Sequence, residues 1–168
     1  LKVANNTAQF GNARIDDVLR TIDEGFPLIA VSANTQHDPQ GIMMHASNPR
    51  DSWQDLDGAT VMAVTGVAWP PIVERQLGID LELTAHTFNL ATFLNDEDLI
   101  MQCFITNEPY QVRQQGATPR VLPMADSGFD PYRVLYANRD FAEEHPEVVR
   151  KVVRATISGW RDFFENGP

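Results

Sequence analysis

Thr65, Gly66 and Trp69 sit between a short apolar run, Ala59 to Val64, and a proline pair, Pro70-Pro71. These types in this order suit the capture of a small molecule. The β-rich run is long enough for one buried strand, and Asp57-Gly58 before it is a turn dipeptide. Gly66 lets the backbone come close to a bound group. Proline favours the first turn of a helix, where its missing N–H costs nothing. A helix start offers unpaired N–H donors and partial positive charge, so strand, glycine and helix start together suit an anionic or strongly polar solute. Trp69 admits two readings. It stacks on a flat ligand at the entrance, or it packs in the core of an ordinary strand-to-helix connection.

Other chemistries find less support. Cys103 is the only cysteine among 168 residues, which excludes an intrachain disulfide. It lies in the apolar run Ile100 to Ile105 and reads as a small core residue. The histidines (His37, His45, His86, His145) are scattered, and no His or Cys pair has metal-ligand spacing. No Ser/His/Asp or Cys/His arrangement marks a nucleophile, so neither a catalytic residue nor a metal or other cofactor is expected. A net charge of −10 argues against a nucleic-acid partner. With 43% hydrophobic residues a real core is possible, and no apolar run reaches the 18 residues of a membrane span. Leu1 at the start and Asn166-Gly167-Pro168 at the end read as cuts within a longer protein.

Elements able to position Thr65 and Gly66 alternate along the chain. Ile15, Val18, Leu19 and Ile22 recur at helical spacing, with Asp16 and Asp17 in the first turn and Gly25 as a stop. Strands are expected at 27–32, 41–46, 59–64, 81–85, 100–105, 121–124 and 132–137. Helices are expected at 70–77, 89–94 and 107–115, and one runs onward from Pro146. That last helix carries Val149, Val152, Val153, Ile157, Trp160, Phe163 and Phe164 on one face, which reads as core packing. Strands separated by helices imply a mostly parallel α/β sheet. Two polar segments, 34–40 and 125–131, interrupt the pattern and suit crossovers between two lobes.

A family resemblance runs through the whole chain. It is carried by Ala8-Gln9-Phe10-Gly11, Pro27 to Val31, Gln36 to Met43, Asp55-Leu56-Asp57-Gly58, Asn107-Glu108-Pro109-Tyr110 and Gly128 to Tyr132. Phe141, Pro146 to Val149 and Gly159 to Phe163 complete it. In order and spacing these resemble the periplasmic substrate-binding proteins of ABC transporters for nitrate, sulfonates, taurine and thiamine-pyrimidine precursors. The resemblance implies an α/β, two-lobed periplasmic-binding-protein type II fold, incomplete at both ends. One lobe would comprise 1–46 with 131–168, and the other 47–130.

It also implies ligand-binding residues at Asn12, Gln36, Thr65, Gly66, Trp69, Asn107 and Glu108. For Asn12 and Asn107, each expected to open a helix, N-capping is the competing reading. For Glu108 it is a first-turn carboxylate stabilised by the helix dipole. As a ligand contact, Glu108 favours an amine or protonated ring nitrogen, hence a pyrimidine-like solute over nitrate or a bare sulfonate. His37 and Asp38 read as turn residues. The implied protein is a non-enzymatic solute receptor, periplasmic or lipid-anchored outside the cytoplasm, with an ABC permease as partner. The alternatives are an enzyme resembling the thiamine-pyrimidine synthases, whose cysteine-rich motif this chain lacks, and a sensing module of a larger regulator.

Overall fold

The computed structural model describes residues 2–167. The chain forms two compact units, Leu1–Gln36 with Pro131–Pro168 and His37–Asp130.

The first unit is built on a three-stranded sheet, β1 (Phe10–Arg14), β8 (Arg133–Asn138) and β2 (Leu28–Ala33), in the order β1-β8-β2. Both pairings are antiparallel, so the expectation of parallel strands fails here. Strand β8 returns from the far end of the sequence and runs against its two neighbours, a pairing that local pattern does not reveal. Helix α1 (Ile15–Asp23) buries Val18, and Leu28 of β2 with Val134 and Ala137 of β8 are the buried apolar residues of this sheet. Asn138 is buried and fully used. Its Nδ2 donates to the carbonyls of Val3 and Ala4, and its Oδ1 accepts from Phe141 N–H at the start of α5 (Arg139–Glu144). Helix α5 was not expected from the sequence.

Helix α6 (Pro146–Asn166) corrects another expectation. It packs against α5 and β2, yet none of its residues is buried, and Phe164 is 78% exposed. Trp160, Phe163 and Phe164 lie against one another rather than in a core.

The second unit carries a five-stranded sheet in the order β5-β4-β6-β3-β7: Glu82–Ala85, Thr60–Ala63, Ile100–Phe104, Gln40–His45 and Pro119–Pro123. Strand β4 runs parallel to β5 and β6, and β3 runs antiparallel to β6 and β7. Strand β3 bonds on both sides within this sheet, so the unit begins at His37 and not near residue 47.

Side-chain alternation divides this sheet's apolar residues between two cores. Ile42, Met44, Val61, Ala63 and Ile100 meet Trp69 and Val73 of α2 (Trp69–Leu77) on one face. Met43, Met62, Met101 and Cys103 meet Phe93 of α3 (Leu90–Asn95) and Val112 of α4 (Glu108–Gln114) on the other. Helix α2 ends at Gly78, whose φ of +68° is the left-handed cap that glycine adopts without strain.

Candidate functional site

Parallel strands β5, β4 and β6 end side by side, and their outgoing connections diverge. The chain leaves β4 through α2 on one face of the sheet and reaches β5. It leaves β6 through α4 on the opposite face and reaches β7. Ligands of open α/β sheets settle at such a divergence, outside the carboxyl ends of the strands. Three loops form this edge in the second unit, 64–68, 86–89 and 105–107.

Gln102 ties the edge together. Its side chain is buried, and its Oε1 accepts from Val64 N–H at 3.1 Å and Trp69 Nε1–H at 3.2 Å. Its backbone carbonyl accepts from His86 Nε2–H at 2.9 Å. His86 Nδ1 accepts from Phe88 N–H at 3.0 Å. A ring nitrogen that accepts cannot carry the proton, so His86 is the neutral Nε2–H tautomer with both nitrogens engaged.

Two hollows open here. The first, about 110 Å³, is lined by His86, Phe88, Leu90, Asn107, Glu108 and Gln111. The second, about 230 Å³, lies between the loop after β4 and the end of β5, with Thr65, Gly66, Pro70 and Thr84 in its wall. The linings contain one carboxylate and no Lys or Arg. At Gly66, φ is +79° and a Cβ would meet open space, so its backbone borders the second hollow unobstructed. Pro70 and Pro71 remove two of the N–H donors of the first turn of α2. This helix start therefore offers an anion less than the sequence suggests.

Of the expected site residues, Thr65 and Gly66 share the second hollow, and Asn107 and Glu108 share the first. Trp69 does not stand at an entrance. It is 0% exposed, set edge-on against Trp53 at 5.9 Å, so the core reading is the one the structure gives. Leading α2 into the sheet buries its first residue.

Asn12 lies within β1, opposite Leu135, exposed on the first unit. It opens no helix, because α1 starts at Ile15. Gln36 is exposed at the end of β2's outgoing segment, also in the first unit. Asn107 stands at the N-cap of α4 but makes no capping bond, and its Oδ1 accepts from Gln111 Nε2 at 2.7 Å.

Glu108 is half-buried, and its Oε2 accepts from Phe104 N–H at 2.7 Å, closing the end of β6. Burial and, secondarily, the Glu108 charge push the Cys103 thiol up to about 12, so it stays protonated and inert near neutrality. His37 lies at a bend and Asp38 in the irregular segment before β3, so neither stands in a regular turn. Asp130 accepts from Asp38 N–H at 2.7 Å and pairs with His37 Nδ1.

His86 and Phe88 line the first hollow and were missed from sequence. Thr87-Phe88-Asn89 carries no glycine or motif to mark it. A left-handed phenylalanine, with φ +57°, is visible only in coordinates.

Comparison with known proteins agrees with this architecture. The family model described as NMT1/THI5 like matches residues 2–167. The riboflavin-binding protein RibY of Chloroflexus aurantiacus is 24% identical over 165 residues, covering 89% of this chain and 45% of RibY. The periplasmic aliphatic sulphonate binding protein SsuA of Escherichia coli superposes with a TM-score of 0.75 at 18% identity, over 98% of this chain and 58% of SsuA. The ligand binding component of an ABC-type import system from Staphylococcus aureus, solved with zinc bound, gives 0.66 at 12% identity, over 92% and 56%. The chain thus spans about half the length of these proteins. It has their α/β periplasmic-binding-protein fold, and it belongs to the NMT1/THI5-like family.

Proposed function

We propose that this protein is the solute-binding component of an ABC-type importer. In this reading it works outside the cytoplasm, periplasmic or lipid-anchored, and hands a small polar organic molecule to a membrane permease. The observation that carries the reading is the pair of hollows where β4 and β6 send their connections apart. The groups near them hold rather than react. Both nitrogens of His86 are occupied, and the thiol of Cys103 is buried and protonated.

The lining also bears on the kind of solute. Glu108 is its only charged side chain, and no cation is there to receive an anion. A carboxylate beside two amides suits an amine or a ring nitrogen, as in an aminopyrimidine. Nitrate or a bare sulfonate would find no charge partner in either hollow.

A thermal-shift screen of the full-length protein against aminopyrimidines, riboflavin, aliphatic sulfonates and nitrate tests this. A true solute at 100 times its Kd adds about 2.7 kcal/mol of stability, a rise of several degrees. A rise with an amine-bearing or nitrogen-heterocyclic probe supports the reading. A rise confined to nitrate and sulfonates contradicts the solute class.

A further inference from the structure

We propose that Phe88 is a stacking platform, and that the solute carries a planar conjugated ring with hydrogen-bonding groups on its edge. This rests on the solute-binding reading above and goes further, to the shape of the ligand and the residue that selects it.

Phe88 combines two features that folding alone disfavours. Its φ is +57°, a region that bulky side chains rarely occupy. Its ring is 76% exposed, so the unusual backbone gains no core packing. Backbone strain of this kind persists where surrounding contacts impose it, and it collects at ligand clamps. The contacts that impose it here are specific. His86 Nδ1 takes the Phe88 N–H, and His86 is itself anchored on the Gln102 carbonyl. One residue on, Asn89 Oδ1 caps α3 through Ala91 N–H at 2.9 Å. The segment is thus held on both sides, and the ring leans on the His86 imidazole with centroids 4.5 Å apart.

The same hollow supplies polar partners. Asn107 and Gln111 are joined through Asn107 Oδ1 and Gln111 Nε2. Both residues line the hollow, and each keeps one amide atom outside that bond, Asn107 Nδ2 as a donor and Gln111 Oε1 as an acceptor. Glu108 adds a carboxylate whose Oε2 already serves Phe104 N–H, leaving Oε1 for a ligand. An aromatic face beside a donor, an acceptor and a carboxylate fits a nitrogen heterocycle with an amino or lactam edge. An aliphatic sulfonate has neither the flat face nor the edge.

Four probes test the proposal on the full-length protein: riboflavin, 4-amino-2-methylpyrimidine, taurine and methanesulfonate. The wild type is expected to bind at least one of the planar pair more tightly than the aliphatic pair. Phe88→Ala should weaken the planar probe roughly three- to tenfold, and Phe88→Trp should retain or improve it. Phe88→Gly relieves the left-handed strain, so it should raise the melting temperature by about 2–4 °C while losing the same affinity. A purely structural Phe88 would not part stability from binding in this way. Unchanged affinity of Phe88→Ala for the planar probe overturns the proposal. Binding of taurine or methanesulfonate alone overturns it too, while leaving solute binding intact. Binding of none of the four overturns the proposal, while the solute-binding reading then stands or falls on the wider thermal-shift screen.

Discussion

The indole Nε1–H of Trp69 donates to Oε1 of Gln102 across 3.2 Å, inside the core. The same oxygen receives Val64 N–H, so one buried amide joins the first residue of α2 to the loop after β4. Trp69→Ala should therefore act on stability, lowering it by about 3–5 kcal/mol in a urea melt. Gln102→Leu should cost about 1–3 kcal/mol for each of the two donors it strands. A Trp69→Ala protein of wild-type stability would show that the ring lies outside the core.

Glu108→Gln separates two roles of one carboxylate. A glutamine oxygen can still accept from Phe104 N–H, so the melt should shift by only a few tenths of a kcal/mol. If Glu108 also receives a ligand amine, the charge-assisted bond is lost and affinity for an amine-bearing probe falls about tenfold. Wild-type affinity in a stable Glu108→Gln protein would exclude the amine contact.

Much of this architecture is legible in the residues. Strand β4, the left-handed stop at Gly78, the helix beginning at Ile15 and the one opening at Pro146 all follow from period, glycine and proline. The expected positions of Thr65, Gly66, Asn107 and Glu108 fall on the rims of two hollows of one sheet edge. What was not legible depends on distant pairing. The partners of β8 lie more than a hundred residues away, and β3 joins the second unit because β6 and β7 flank it. Trp69 looks the same in sequence whether it faces solvent or core. The stripe on α6 obeys the helical period, yet periodicity cannot say what lies opposite it.

Cys103 should resist a thiol reagent at pH 8 in the folded protein and react on unfolding. Burial first, and then the Glu108 charge, push its folded pKa above the ordinary value of 9.0 to about 12. The raised value means its stability contribution is intact below about pH 9 and is lost as pH climbs toward 12. Cys103→Ala should flatten that alkaline slope. Rapid labelling of the native protein at pH 8 would contradict the burial.

Asp55 gives the opposite pH dependence. Its carboxyl is held below its ordinary value, chiefly by the Ser52 hydroxyl at 2.7 Å and also by Asp51 N–H. A depressed folded pKa stabilises above the unfolded value of 3.8 and loses that contribution as pH falls through the folded value. Asp55→Asn should thus be less stable than wild type at neutral pH, with the gap closing in acid. A gap that stays constant from pH 7 down to about pH 2 would contradict this.

Hydrogen exchange with and without a saturating solute tests the binding edge most directly. Residues 64–68, 86–89 and 105–108 should gain protection when a probe from the thermal screen is bound, and the strands beneath should change less. Saturated protein whose three loops exchange as fast as the free protein would contradict a site at the carboxyl ends of β4, β5 and β6.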